Sequence, residues 1–450
     1  MSRLITGPGA NSFGLTRRTV LQGGIAAGAL GLTGLPALGD PQWKKYAGTT
    51  LETNLIKGPR GELLQRHEKE FTELTGIKVS SELIPEQQQR QKAVIELTSG
   101  KPNFDVVHLS YHVQKRQFDK AGWLADFSGF IKDPNLTTAD LKPDDFSAAG
   151  RTYATTDKGQ LRSLPWSVDY FMLYYNKEIF AKKNVPYPDT IEDMIRAAEL
   201  LNDPKEGISG FVGRGLRNAN LPMWASIYLG YGLDFIDDKG NLLTDSPEAI
   251  EATKQYQYLL TRAGPPGIAG FNWMESQAAF IQGRAAMWLD GIGWAPPLED
   301  PTRSRVVGKV GYGVMPRGPK IRASATYGDG IGVAEASKNK EAGYLYSQWA
   351  VSKLMGARLL QVGGGVPFRN SVIDDPDTRK GVKMPSEWLD CVIGSAKISK
   401  LGLPVIVPVA EFRDVIGAAL TATLSGADPA TEMKKATEQF RPILERSEKG

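Results

Sequence analysis

The stretch Phe71-Thr72-Glu73-Leu74-Thr75-Gly76-Ile77-Lys78-Val79 decides the fold class. On its N-terminal side, Leu64, His67, Glu68, Phe71 and Leu74 recur at helical spacing, and Gly76 stops the helix. On its C-terminal side, Ile77, Val79 and Leu83 alternate as a strand does. Upstream, Leu51 to Ile56 reads as a short strand that enters the helix through the turn Gly58-Pro59-Arg60-Gly61. Downstream, Gln87 to Thr98 is polar with Ala93, Val94 and Leu97 on one face, a second helix. Phe104 to Leu109 is a short apolar run of the kind that lies inside a parallel sheet. Strand, helix, strand, helix, strand in this order predicts an α/β sheet with right-handed crossovers.

The rest of the chain continues in the same style. Thr190 is a good N-cap for a helix over Ile191 to Leu201. Ser246-Pro247 pairs a cap with a first-turn proline for a helix running to Leu260. Lys338 to Val351, Ala410 to Leu424 and Pro429 to Leu444 read as further helices, and Val310 to Val314 and Ile331 to Ala334 as strands. The chain has 450 residues, enough for two or three domains, and its 41% hydrophobic and 23% charged content is that of a globular protein. No repeat of 20–50 residues and no low-complexity linker divides it.

Residues 1–39 carry Arg3, Arg17 and Arg18 and no acidic residue. Thr16-Arg17-Arg18-Thr19-Val20-Leu21 precedes an uncharged, glycine-rich stretch that ends in Ala37-Leu38-Gly39. A charged start, a weakly apolar middle and a small-residue site describe an export signal, and the paired arginines give it a twin-arginine look. Val20 and Gln22 depart from the favoured pattern. Cleavage after Gly39 leaves Asp40 first, with no cysteine to lipidate, so an exported soluble protein is expected. The net charge of +4 falls to +1 once those three arginines are removed. Nothing in that balance favours nucleic acid.

Catalytic motifs are absent. There is no G-x-S-x-G elbow, no H-E-x-x-H helix and no phosphate-binding G-x-x-x-x-G-K-[ST] loop. Three histidines and the single Cys391 leave little for a zinc site, and no metal or cofactor is expected. His108 and His112 are four apart, but His108 falls in a strand, which weakens a shared helical face. Gly328-Asp329-Gly330-Ile331-Gly332 leads into a strand rather than a helix, so it is not read as a dinucleotide loop. Aromatic residues beside glycine or proline at strand ends, such as Trp166 and Trp294, can stack on a sugar ring. Asp169, Asp290 and Asp329 can accept hydroxyl hydrogen bonds.

Seven segments in order then resemble the family 1 extracellular solute-binding proteins of bacterial ABC importers, the class of maltose- and other sugar-binding proteins. They are Phe71 to Val79, Ser99 to Val107, Ala121-Gly122-Trp123-Leu124, Leu164-Pro165-Trp166 with Leu173 to Phe180, Phe280 to Met287, Val314 to Gly318, and Ser337 to Ala342. The resemblance implies two α/β lobes of the periplasmic-binding type, joined by strands that cross between them, with ligand in the cleft. The expected division is 40–166 plus about 328–365 for the N-terminal lobe and 167–327 plus about 366–450 for the C-terminal lobe.

By position in the motifs, the resemblance implies ligand contacts at Lys57 and Arg60 after the first strand, and at Ser110, Tyr111 and His112. It further implies Trp166 and Asp169 near the Leu164-Pro165 hinge, and Trp288, Asp290 and Trp294 after Ala285-Ala286-Met287. Gly328, Asp329 and Arg369 complete the set; Asp169, Trp294, Asp329 and Arg369 lead it. The implied protein is a monomeric, non-enzymatic periplasmic receptor that hands a sugar, polyol or short oligosaccharide to membrane permease subunits driven by a separate ATPase. Two rivals stay open at this point. One is a receptor for an anionic solute held by Lys57, Arg60 and Arg369. The other is an exported carbohydrate-active enzyme using two of Asp169, Asp290, Asp329 and Glu411.

Overall fold

The computed structural model describes residues 41–449; the expected export signal, residues 1–39, lies outside the described residues. Strands β1 (Thr50–Ile56), β2 (Lys78–Ile84) and β3 (Val106–Ser110) are parallel, in the order β2-β1-β3. Helices α1 (Pro59–Thr75) and α2 (Glu86–Thr98) connect them, as the apolar spacing predicts. Gly76 ends α1 at φ +74°, donating its N–H to the Thr72 carbonyl. In that left-handed conformation glycine alone carries no Cβ penalty.

Two long strands organise everything else. β4 (Leu164–Asn176) and β7 (Ser324–Val333) pair antiparallel, from Leu164 opposite Ile331 to Tyr170 opposite Thr326. One end of β7 joins β3, with Ser110 opposite Asp329. The far half of β4 joins β5 (Met287–Gly291) and β6 (Val310–Val314), with Phe171 opposite Gly291 and Met172 opposite Val314. β4 and β7 therefore run out of one sheet region into another, and the fold is two-lobed with these strands crossing between. The whole of β7 is buried. Its glycines are packing devices: a Cβ on Gly330 would lie 2.1 Å from the Tyr111 hydroxyl oxygen.

Helix α3 (Tyr111–Ala121) follows β3 directly. The capping box at Thr190 and Asp193 starts Ile191–Leu201 where the sequence places it. Val366–Pro367 forms a short strand, β8, on Ser167 and Val168 of β4, and Ser399–Leu401 forms β9 beside Ser324–Thr326. The Ser147 N–H donates to the Phe368 carbonyl at 2.8 Å, and the short helices Asn370–Ile373 and Pro376–Lys380 lie on helix Lys353–Gln361. Helix Ser386–Lys397 returns to β4 and β6. Helices Val409–Leu424 and Pro429–Lys449 then pack on each other and on Pro247–Ala263.

Candidate ligand cleft

Antiparallel partners project to the same face of a sheet. Asp329 on β7 stands opposite Ser167 on β4, and Asp169 on β4 stands opposite Tyr327 on β7. The two carboxylates are therefore diagonal neighbours on one face of the crossing strands. Arg60, in the first turn of α1, reaches both of them. Its Nη2 lies 3.1 Å from Asp169 Oδ2, its Nη1 donates to Asp329, and its Nε donates to the Gly364 carbonyl at 3.2 Å. The Gly293 N–H, just past β5, donates to Asp169 Oδ1 at 3.2 Å. His108 Nε2 lies 3.6 Å from Asp329 Oδ1.

The two carboxylates titrate differently because their surroundings differ. Burial works against ionising Asp329, but Arg60 and His108 outweigh it and hold its carboxyl well below the usual carboxylate range. At Asp169 burial wins over Arg60 and the Gly293 amide, with the charges of Asp290 and Asp329 adding to it, so its pKa is raised. Burial lowers the affinity of Arg60 for its proton, yet the two carboxylates more than restore it.

A second cluster faces the first. Arg90 on α2 donates from Nη2 to Glu86, one turn back, and from Nε and Nη2 to Ser110 Oγ at 3.0 and 2.9 Å. His112 donates Nδ1–H to the Gly328 carbonyl at 3.2 Å, which leaves Nε2 to accept from Arg90 at 3.4 Å. Burial and Arg90 pull His112 down to about 3, so its ring is neutral. Arg214 makes a two-point bridge to Asp290 and lies over the Phe171 ring. Arg413, on the helix Val409–Leu424, donates from Nη2 to the Asn218 carbonyl at 2.9 Å. Glu86, against the pull of burial, is brought to about 2 by Arg90, Arg214 and Arg413. Behind these charges the Tyr327 ring makes edge contacts with Phe171 and His112.

The structure sorts the residues expected to touch ligand. Arg60, Ser110, His112, Asp169, Gly328 and Asp329 come together at the crossing strands. Asp290 lies nearby, but its fully buried carboxylate is already engaged by Arg214. Four of the expected residues are engaged elsewhere in the fold. Trp166 is 2% exposed with its ring edge-on to His108, and Trp288 is wholly buried and stacked on Tyr174, so neither face is open to a sugar. Tyr111 stacks on Tyr153 and shares a hydrogen bond with Ser163, which uses both its ring and its hydroxyl. Arg369 is buried against Asp140 and Asp145, where it ties the β8 segment to the first lobe. Trp294 is half-buried, with one face covered by Trp273 at a centroid distance of 4.0 Å. Lys57 is exposed beyond β1, with no ion pair among the described residues.

Sequence reading missed Glu86, Arg90, Arg214 and Arg413. A signal existed for the first two: Glu86 and Arg90 are four apart at the start of a helix, with the carboxylate on the N-terminal side. Nothing local marked Arg214 or Arg413. Buried polar atoms normally find partners. Here Ser167 Oγ, His108 Nε2, Arg90 Nη1 and Arg413 Nε have none.

The family model for bacterial extracellular solute-binding protein matches residues 58–353. The erythritol/L-threitol-binding protein of Mycolicibacterium smegmatis is 27% identical over 443 residues, covering 91% of this chain and 90% of that one. The mannitol-binding protein of Pseudomonas aeruginosa is 25% identical, covering 65% of this chain and 66% of that one. Among solved structures, an ABC transporter solute-binding protein from Agrobacterium radiobacter K84 in complex with ribitol superposes with a TM-score of 0.80. It is 26% identical and covers 88% of this chain and 99% of that one.

Proposed function

The chain belongs to the bacterial extracellular solute-binding proteins, and from that premise we propose that it is the receptor of an ABC importer for a small polyol or sugar. One observation carries the reading. Asp169 and Asp329 stand side by side on the crossing strands, with buried polar atoms around them still lacking partners. Carboxylates held in place by Arg60 accept hydroxyl hydrogens, and guanidinium groups donate to hydroxyl oxygens. Closure of the two lobes around a solute would bury these bonds, and a solute lacking a hydroxyl would leave a buried group unpaired. Acyclic polyols fit better than ring sugars, because Trp166 and Trp288 are sequestered and Trp294 has one face covered. The names of the relatives, with erythritol, threitol, mannitol and ribitol, support the same class.

The cations named for the anion-receptor rival are unsuited to it. Arg60 and Arg369 are each shared by two carboxylates, and Lys57 stands out in solvent. The relatives are solute-binding proteins, and we read this chain likewise as a non-enzymatic receptor that passes its solute to permease subunits served by a separate ATPase. Its place is outside the cytoplasmic membrane, reached through a twin-arginine signal over residues 1–39. We place the second lobe's return near Ser386, because Val366–Lys380 packs with the first lobe.

A thermal-shift screen of the purified protein tests this, since a ligand raises stability with the logarithm of its concentration above Kd. Alditols of four to six carbons should raise Tm more than hexoses, disaccharides, phosphate or amino acids. A shift confined to amino acids or phosphate, or turnover of a glycoside, overturns the reading.

A further inference from the structure

The charges in the cleft are not evenly spread. In one group Asp169 and Asp329 share Arg60, an excess of negative charge. In the neighbouring group Arg90, Arg214 and Arg413 have, among the described residues, only Glu86 and Asp290 as contacting carboxylates, and Arg214 engages Asp290 at two points. Arg413 is the odd one. It is 4% exposed, has no carboxylate within 4 Å among the described residues, and bonds only to the Asn218 carbonyl, with its Nε unpartnered. Arg90, 6% exposed, also has an unpartnered Nη1. The two arginines come from different lobes, one on α2 and one on the helix Val409–Leu424. A buried guanidinium with no counter-charge is costly. The strain shows at Arg413, whose proton affinity burial and Arg90 bring down to about 9.

We propose that Arg90 and Arg413 form a subsite for a carboxylate at one end of an open-chain solute. The receptor then takes the aldonate, the polyol's one-end-oxidised form, as well as the polyol itself. The proposal rests on the reading of the cleft as a polyol site. A terminal carboxylate supplies the acceptors that Arg90 Nη1 and Arg413 Nε lack and matches the one excess positive charge. The hydroxyls at the other end donate to Asp169 and Asp329. The opposite orientation sets carboxylate against carboxylate, so the charge asymmetry fixes which way round the solute binds. Arg413 becomes the residue that separates the acid from the alcohol, because Arg90 already has Glu86.

The test is calorimetric titration of the full chain with ribitol and with ribonate, separately and in competition, for the wild type and for Arg413→Met. Wild type should bind both at one site, ribonate at least as tightly. In Arg413→Met, ribonate should lose about 10- to 100-fold, the worth of charge-assisted hydrogen bonds, with a several-fold smaller loss for ribitol. The ligand-free melting temperature should rise, since an uncompensated buried charge is gone. Arg413→Lys, which keeps the charge, should recover part of the ribonate affinity. If ribitol binds the wild type and ribonate does not compete, the proposal is wrong while the polyol reading stands. Equal losses for both solutes in Arg413→Met also overturn it. If neither solute binds the wild type, the polyol reading fails and takes this proposal with it.

Discussion

Arg60 and Asp169 are joined by a 3.1 Å ion pair between the first turn of α1 and the middle of β4. The same guanidinium holds Asp329 on the neighbouring strand and the carbonyl of Gly364. One side chain therefore fixes the positions of two carboxylates and of the loop before β8. Neither carboxylate is spent by the pairing, because each keeps a second oxygen or lone pair for a solute hydroxyl.

Asp169→Asn removes the charge that accepts a hydroxyl hydrogen but preserves the side-chain shape. Binding of the alditol found by the screen should weaken by about 10- to 100-fold in calorimetric titration. The melting temperature should change little, because burial already disfavours the ionised form. An unaltered Kd takes Asp169 out of the site.

Arg369→Met tests the opposite assignment. It removes the guanidinium from Asp140 and Asp145, leaving them Lys353 and Ser371 as partners, so urea unfolding should show a loss of about 3 kcal/mol. Solute affinity of the folded protein should stay within about twofold, a difference worth under half a kcal/mol. A large loss of affinity with full stability would return Arg369 to the cleft.

The tryptophans separate by burial. Trp288→Ala empties a fully buried site stacked on Tyr174 and should cost about 3–5 kcal/mol in chemical denaturation. Trp294→Ala loses a half-buried stack on Trp273 and should cost about 1 kcal/mol beyond its area. Equal costs at the two positions would contradict this division. Trp294 is the one expected tryptophan that is not fully buried, so its loss should also weaken solute binding.

Acid should destabilise the fold through His112 and Glu86. His112 is neutral in the folded state down to about 3, whereas in the unfolded chain it protonates below about 6.5. Its contribution is complete above that higher value and drains as pH falls, by at most about 1.4 kcal/mol per pH unit. Glu86, with a folded value of about 2, adds a second loss once pH drops below its free value of about 4.3. Asp169 has the opposite sign: its raised pKa makes the folded state hold a proton that the unfolded chain releases, which offsets part of the loss. Melting temperatures from pH 7 to 4 should fall, and less steeply in His112→Gln. Identical slopes would acquit His112.

Elements whose signals are local were legible in the sequence. The spacing around Phe71 and Gly76 marked α1 and β2, and Thr190 and Ser246 marked helix starts that the structure keeps. The glycine run at Gly328 to Gly332 lies in a strand, and that strand is longer than the sequence pattern indicates, starting at Ser324. The ligand contacts were harder. Trp166, Trp288 and Trp294 look alike in sequence, each beside a turn or strand end. Their exposure depends on distant partners: His108, Tyr174 and Trp273.

By itself the sequence determined the α/β class and the family, because strand alternation and motif order are properties of neighbouring residues. Only the tertiary structure decided which buried arginines have a carboxylate partner. Arg60, Arg214 and Arg369 have carboxylate partners far away in the chain, while Arg413 has none within 4 Å among the described residues. Whether a buried charge is matched depends on which strands and helices the fold brings together, and no local pattern records that.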